Sequence, residues 1–258
     1  MITSSFDNKT NSKINPNLTG NRIKCDACIV TFSNIIEDYV INNYQPNIIG
    51  YIKMVNGQIP IYKIEKDGNT FAFYKTNIGA SAAVGCLEDS REIIDTDNYI
   101  VFGGSGCLNK EISRGKIMIP TFAYRDEGTS YHYAEAGDYI EIKNAITVAN
   151  FMETKGLPYV LGKTWTTDSF YRETEGNFVK RKEEGCISVE MECSAYQAVC
   201  NFRKINLYYF LSSGDLLDSP EWDNRIKDKN NYSGTQHDSR LFDIAFELAN
   251  FISYKKVR

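Results

Sequence analysis

The chain has 258 residues, of which 42% are hydrophobic and 24% charged, the balance of an ordinary soluble globular protein. It contains no apolar run of the roughly 18 residues that a membrane span needs, and its net charge of −4 offers no basic excess for nucleic-acid polymers. Only two histidines, His132 and His237, are present, which excludes mechanisms that need several imidazoles. Seven cysteines, an odd number, and the lack of an apolar signal peptide at Met1 predict a cytoplasmic protein.

Residues 1–24 are polar and without periodicity, which predicts a loosely held arm in front of one domain over 25–258. An apolar run at 27–32 predicts a buried strand, and Ser33 with Asn34 supplies an N-cap for a helix over 35–44. Three β-rich runs joined by Asn-Gly and Asp-Gly pairs then predict an antiparallel meander. Its strands are expected at 48–55, 59–66 and 71–76.

Beyond the meander, strand and helix patterns alternate. A helix of small residues is expected to begin near residue 79. Further strands are predicted at 99–102, 116–124, 157–165 and 206–211. Further helices are predicted at 145–155, 190–203 and 240–253. This alternation, together with the meander, predicts a three-layer α/β/α sandwich with a mixed central sheet.

A glycine-rich stretch follows the predicted strand at 99–102. Gly103, Gly104 and Gly106 would let backbone N–H groups approach an anion closely, and Ser105 adds a hydroxyl donor. The spacing fits neither the phosphate loop of nucleotide-binding proteins nor the dinucleotide fingerprint. The stretch is therefore a candidate anion-binding loop, and a tight turn without a ligand is the alternative.

Three further segments follow predicted strands, where α/β proteins keep their sites. The segment 125–133 contains an arginine, two acids, several hydroxyls and His132. The segment 162–174 contains threonines, a tryptophan and a Phe-Tyr pair. In the segment 188–195, two glutamates stand at the start of a predicted helix. Each segment also has a purely structural interpretation. The first could be a solvated turn, the aromatic residues of the second could belong to the core, and the helix dipole would favour the carboxylates of the third.

These segments read RDEGTSYHY at 125–133, GKTWTTD at 162–168 with YRET at 171–174, and VEMECSA at 189–195. In this order they resemble the motifs of the purine nucleoside/uridine phosphorylase superfamily, and the similarity extends from about Cys25 to the C-terminal helix. The resemblance implies an enzyme that cleaves the N-glycosidic bond of a nucleoside with phosphate, or in sister groups with water. It also implies a homo-oligomer, either a dimer or a ring of dimers, with phosphate as co-substrate, no other cofactor and no metal.

Roles for single residues follow from the same resemblance. Glu192 would accept hydrogen bonds from the ribose hydroxyls, with Met191 and His132 also at the ribose, while Phe170 and Thr167 would contact the base. A carboxylate suits the first role because charge-assisted hydrogen bonds are strong and negative charge stabilises an oxocarbenium-like transition state.

Purine-cleaving members of the family protonate the leaving base with an Asp after the last core strand, a general-acid step. Aligning Ser213 with the family serine places Gly214 at the position of that Asp, so Asp215 is the nearest replacement. If Asp215 serves, a purine is favoured. If it points away, a pyrimidine substrate or an inactive site follows.

The phosphate site departs further from the family pattern. The early loop at 31–34 holds no arginine, Val101 replaces a second arginine, and Gly104 stands at the hydroxyl position with Ser105 beside it. We therefore expect Gly104, Ser105 and Arg125 to bind phosphate, with Arg125 supplying the positive charge.

Other functions remain open at this point. The missing arginines favour a water-using nucleosidase of the same fold, and a uridine phosphorylase is the alternative if Asp215 points away. The altered anion site is compatible with a non-catalytic nucleoside-binding protein. A serine hydrolase would use Ser105, Asp215 and His237 in that chain order, but Cys107 replaces the second glycine of its nucleophile motif.

Overall fold

The protein is built on a mixed sheet, seen in a computed structural model that describes residues 1–112, 114–223 and 233–254, with backbone only for 233–238 and 254. In chain order the strands are Ile23–Lys24 (β1), Ala27–Thr31 (β2), Asn47–Met54 (β3), Gly57–Lys66 (β4), Asn69–Lys75 (β5), Ile94–Asp95 (β6), Asn98–Cys107 (β7), Ile117–Asp126 (β8), Tyr139–Glu141 (β9), Tyr159–Thr167 (β10), Cys186–Glu190 (β11) and Asn206–Leu216 (β12). The helices are Asn34–Tyr44 (α1), Ala80–Ser90 (α2), Ser130–Tyr133 (α3), Ala145–Thr154 (α4), Glu175–Glu183 (α5), Cys193–Arg203 (α6) and Ser233–Tyr254 (α7), with 3-10 turns at Ile2–Ser4 and Phe170–Arg172.

Neighbouring strands of the main sheet run in the order β11-β10-β8-β12-β7-β2-β5-β4-β3, with β9 beside β8. Strand β2 is parallel to β5 and β7, and β7 to β12, while β10 is parallel to β8 and β11. The two parallel groups meet in antiparallel pairs, β12 with β8 and β11 with β7. Because β11 pairs with both β10 and β7, five strands close into a ring that brings the ends of the two groups together.

Helices cover both faces of this sheet. On one face α7 packs against α1, α4 and the strands β2 and β7, while on the other α6 packs against α2, α3 and the strands β8 and β12. The predicted three-layer α/β/α arrangement with a mixed central sheet is therefore confirmed.

Local sequence signals explain where several elements begin and turn. Ser33, in extended backbone, accepts a hydrogen bond from the Ile36 N–H (3.4 Å) at the start of α1, as predicted for an N-cap. The β4–β5 hairpin turns through Asp67 and Gly68, whose φ values of +52° and +82° are those that an Asp-Gly pair adopts in a two-residue turn. The predicted meander is confirmed by the antiparallel pairing of β3, β4 and β5.

Some element boundaries differ from the prediction. The helix expected over 190–203 begins at Cys193, because residues up to Glu190 belong to β11. Helix α5 is not predicted from the sequence because it is polar, and Arg181 is its one buried residue. The longer helix α7 includes the predicted range 240–253.

The N-terminal arm makes ordered contacts before Cys25. Its last residues form β1, which pairs with β6, and the Asn17 N–H donates to Glu92 Oε1 (2.7 Å). The division into an arm over 1–24 and one domain over 25–258 stays a prediction. In the part of the chain that the structure describes, no helix is long and apolar enough to cross a membrane.

Candidate functional site

The glycine-rich stretch lies inside strand β7, which corrects the prediction that it is a loop after a shorter strand. Gly104 and Ser105 pair in parallel register with Ser212 and Ser213 of β12. The strand extends to Cys107 because β12 pairs with it as far as that residue, which is the register partner of Leu216. Ser105 in an extended strand also lacks the sharp turn of a hydrolase nucleophile, and the His237 side chain lies outside the described residues.

Close packing explains part of the glycine content of β7. A Cβ atom on Gly106 would lie 2.8 Å from side-chain atoms of both Val189 and Leu217, closer than real Cβ contacts. A Cβ on Gly104 would have nothing within 4 Å, and Gly104 is exposed. Gly106 is therefore required by the fold, whereas Gly104 leaves open space at the surface of the strand.

Three buried hydroxyl groups lie toward the carboxyl ends of neighbouring parallel strands. Thr31 ends β2, while Ser105 of β7 and Ser213 of β12 are register partners. None of the three side-chain oxygens has a hydrogen-bond partner within the described chain. Because a buried polar group without a partner costs about 1–3 kcal/mol, a polar ligand at these positions would be stabilised. Ligands of open α/β sheets bind at this edge.

Glu192 connects this edge to α6. Its Oε1 accepts a hydrogen bond of 2.6 Å from the Gly79 N–H, in the segment between β5 and α2. The start of the same segment lies against the end of β2, because the Thr76 N–H donates to the Thr31 carbonyl (2.8 Å). Burial, and after it the charge of Glu190, raises the pKa of Glu192 to about 8. Hydroxyl donors from a ligand would favour the carboxylate form of this side chain.

Glu190 has a structural role at the start of α6. Its Oε2 accepts hydrogen bonds from the N–H groups of Glu192 (2.8 Å) and Cys193 (2.6 Å), and its Oε1 accepts one from Thr166 Oγ1 (2.6 Å). Burial raises the pKa of Glu190, and these donors act in the opposite direction. The side chain thus satisfies free N–H groups of the helix and ties the helix to β10, as the helix-dipole interpretation predicts.

Glu127 joins the RDEGTSYHY segment to the same helix. Its Oε1 accepts a hydrogen bond from Ser194 Oγ (2.8 Å) and its Oε2 accepts one from the Ser130 N–H (2.9 Å). The Ser194 N–H in turn donates to Thr166 Oγ1 (3.1 Å). Buried hydrogen bonds therefore join the three motifs of the resemblance, and part of each motif serves the fold.

The guanidinium of Arg125 is held by the protein itself, which disfavours its predicted role at phosphate. It is buried, with Nε donating to Ser130 Oγ (2.8 Å) and one terminal nitrogen to the Glu135 carbonyl (2.6 Å). Two more carbonyls, of Ala134 and Gly137, lie at 3.4 Å from the terminal nitrogens. These hydrogen bonds occupy most of the N–H groups of the guanidinium and leave little of it for direct contact with a phosphate.

His132 lies on α3 and is exposed to a different cavity. This cavity, of about 920 Å³, is bounded by the N-terminal arm, α2, the 128–133 segment and the end of α6. None of the predicted ribose and base residues Glu192, Met191 and Phe170 lines it. The role of His132 at the ribose stays a prediction.

The residues predicted to contact the base follow β10. Phe170 is about half exposed, at 51%, and its ring lies 4.1 Å from that of Tyr171, whereas Thr167 is buried at the end of the strand. Met191 is half-buried, next to Glu192. Trp165 belongs to the core, with 1% exposure, which is the structural alternative that the sequence left open for it.

Asp215 lies against β7. Its Oδ1 is 3.7 Å from the Cβ position of Gly106, and its Oδ2 accepts a hydrogen bond from Trp222 Nε1 (2.8 Å). The carboxylate therefore lies next to the strand that carries Gly104 and Ser105.

Two features near these residues escaped the sequence analysis. The Gly115 N–H donates to the Ser213 carbonyl (2.7 Å) and the Ser213 N–H to the Lys116 carbonyl (2.9 Å), so the half-buried cations Arg114 and Lys116 flank this serine in the backbone. The only signal in the sequence was an Arg-Gly-Lys turn between two strands. The second feature is Glu173 of the YRET stretch, a half-buried acid. Burial, and after it the charge of Asp215, raises its pKa.

Fold and side chains together define an α/β protein with buried polar groups at the strand ends of a mixed sheet. A family model, the Phosphorylase superfamily, matches residues 44–237. The chain therefore belongs to the phosphorylase superfamily.

Individual relatives are distant. The chain is 25% identical over 161 residues to "Uncharacterized protein R802" of Acanthamoeba polyphaga mimivirus, covering 61% of this chain and 60% of that protein. It is 23% identical over 178 residues to the DeoD-type purine nucleoside phosphorylase of Bacillus subtilis (strain 168), covering 66% and 73%. It is 22% identical over 152 residues to the uridine phosphorylase of Haemophilus influenzae, covering 52% and 60%. The match thus spans about three fifths of the viral and Haemophilus proteins.

Proposed function

We propose that this protein is a nucleoside phosphorylase that cleaves the N-glycosidic bond of a purine nucleoside with phosphate, giving free base and ribose 1-phosphate. The observation that carries the proposal is the buried Glu192 carboxyl group at a sheet edge where the hydroxyls of Thr31, Ser105 and Ser213 have no hydrogen-bond partner among the described residues. Relatives named purine nucleoside phosphorylase and uridine phosphorylase support the reaction class.

Glu192 is the candidate for holding the ribose. The Gly79 N–H holds its Oε1, and backbone hydrogen bonds from Gly79 and Met191 both favour the carboxylate form. Two ribose hydroxyls donating to this carboxyl group would stabilise its ionised form and place negative charge beside the sugar. That charge then stabilises the positive charge that develops on the ribose as the bond to the base breaks.

Phosphate is assigned to the strand ends of β7 and β12. Gly104 leaves open space there, and Ser105 and Ser213 offer hydroxyl donors. Because Arg125 is committed to backbone carbonyls, Arg114 and Lys116 beside Ser213 are the candidates for the countercharge. Phosphate binds such cations and hydroxyl donors through charge-assisted hydrogen bonds.

A water-using nucleosidase of the same fold is the second candidate function. The observation that favours it is the enclosed Arg125, which removes the one arginine that the sequence offered for phosphate. Water, unlike phosphate, needs no countercharge.

One experiment decides between these functions. Inosine, guanosine, adenosine and uridine are incubated with the protein with and without phosphate, and free base is measured. The proposal expects purine release that requires phosphate, together with ribose 1-phosphate. Release without phosphate indicates the nucleosidase, release from uridine alone a pyrimidine enzyme, and nucleoside binding without any release a non-catalytic binding protein.

A variant pair ties the activity to the site. Glu192→Gln removes the negative charge and is expected to lower kcat/KM about 10²–10³-fold, the usual loss when one electrostatic stabiliser of the transition state is removed. Glu183→Gln, at an exposed position of α5, is the matched control and should leave activity unchanged. Equal activity of both variants would exclude Glu192 from the site.

A further inference from the structure

Glu173 is an acid whose surroundings favour its protonated form. It follows the 3-10 turn Phe170–Arg172, and its N–H donates to the Phe170 carbonyl (3.3 Å), which fixes it close to the ring predicted to contact the base. The side chain is half-buried, and no hydrogen-bond donor or cation contacts its carboxyl group within the described part of the chain. Its charged neighbours Arg172 and Glu175 are exposed. A half-buried carboxyl group without such partners is destabilised as an anion.

The segment that carries Glu173 packs beside the end of β12, because Phe178 of α5 and Leu217, two residues after Asp215, pack against the same buried cluster. Asp215 itself is placed by its hydrogen bond from Trp222 Nε1 (2.8 Å) and by its contact with β7 at Gly106. Burial, and after it the like charge of Asp215, raises the pKa of Glu173 to about 7. Two carboxyl groups with different environments, one receiving an N–H donor and the other receiving none, form the pattern that separates an anion from a proton donor in enzyme sites.

We propose that Glu173 is the general acid that protonates the leaving base, and that Asp215 is the neighbouring anion that keeps the proton on Glu173. The proposal rests on the proposed function, and it changes the assignment of Asp215 made from the sequence. It fills the role left open by Gly214, which stands where purine-cleaving relatives are expected to carry their acid.

The bond between C1′ of the ribose and N9 of the purine breaks, and its electron pair goes to the base. The Glu173 carboxyl proton moves to N7, so that the base leaves as a neutral purine, while a phosphate oxygen forms the new bond to C1′. Glu173 then takes up a proton from water. The substrate class is a purine nucleoside, because N7 is a basic nitrogen in the same ring as N9.

The test compares substrates that do and do not need an acid. Inosine requires protonation of its base, whereas 7-methylguanosine carries a positive charge on that ring from the start. Glu173→Gln is expected to lower kcat on inosine about 10²–10⁴-fold, the usual contribution of a general acid. On 7-methylguanosine the loss should stay below about tenfold. The kcat/KM of the wild type on inosine should fall above about pH 7, and this fall should be absent from Glu173→Gln, in which the ionisation of Glu192, with its pKa of about 8, acts in the opposite direction.

The control is Glu175→Gln, which removes an exposed acid two residues away and should match the wild type on both substrates. Circular dichroism of each variant confirms that the fold is retained. Equal loss on both substrates, no loss on either, or loss on inosine in Asp215→Asn but not in Glu173→Gln would overturn the proposal. A wild type that releases no purine from any nucleoside overturns the proposed function instead, and the assignment of Glu173 with it.

Discussion

Replacing Gly106 by alanine tests the packing of strand β7 at the site. The new Cβ would lie 2.8 Å from Val189 Cγ1 and Leu217 Cδ1, whereas real Cβ contacts do not fall below 3.0 Å. Val189 is buried and β-branched, and its strand pairs with β7 at Gly106 itself, so its side chain has little freedom to move away. Overpacking of this kind costs about 1–3 kcal/mol.

The matched control is Gly104→Ala in the same strand, where the added methyl group meets nothing within 4 Å. It should change the free energy of unfolding by less than about 0.5 kcal/mol. For a chain of this length, a loss of about 2 kcal/mol in Gly106→Ala corresponds to a Tm lower by about 4–8 °C.

The assay is thermal and urea unfolding of both variants beside the wild type, followed by phosphate kinetics. Equal Tm values for the two variants would show that β11 does not pack on β7 at this position, and would refute the reasoning. If Gly104 borders the phosphate, Gly104→Ala should raise the KM for phosphate while leaving Tm unchanged.

Two further predictions concern single charged groups. Burial raises the pKa of Glu192 from an ordinary 4.5 to about 8, so the folded state holds a proton that the unfolded state releases, and stability should fall as pH rises from about 4.5 to 8. Urea unfolding should therefore show that the free energy of unfolding of Glu192→Gln rises relative to that of the wild type, by at most about 1.4 kcal/mol per pH unit in this window. A difference that stays constant with pH would contradict the raised pKa of Glu192. Arg125→Lys should lower the free energy of unfolding by about 2–4 kcal/mol, because a lysine cannot reproduce the buried guanidinium bonds, and should leave the KM for phosphate unchanged. A raised KM for phosphate would restore the role predicted from the sequence.

Local chemistry accounts for the parts of the fold that were predicted. The N-cap at Ser33 and the Asp67-Gly68 turn act over a few residues, so they can be read from neighbours in the chain. Helix α5 escaped because it is polar and has no apolar stripe, and the end of β7 escaped because its length depends on β12, about a hundred residues away.

The candidate site was also predicted only in part. The motifs indicated which residue types belong together, and Glu192 is indeed buried at a sheet edge. The sequence did not show that the Arg125 guanidinium donates to carbonyl groups in the segment 134–137. Nor did it show that burial, and after it the charge of Asp215, raises the pKa of Glu173. The first depends on how the segment after β8 folds back on Arg125, and the second on two segments that lie far apart in the chain.

By itself the sequence determined the fold class, the order of the motifs and the family, because these follow from short-range propensities, hydrophobic periodicity and residue patterns. Only the tertiary structure decided which charged groups are free to act. The free energy of a charge depends on its burial and on the donors around it, and residues far apart in the chain set both. For that reason the Arg-Asp-Glu stretch at 125–127 holds the fold, while Glu173, to which the sequence assigned no role, became the candidate acid.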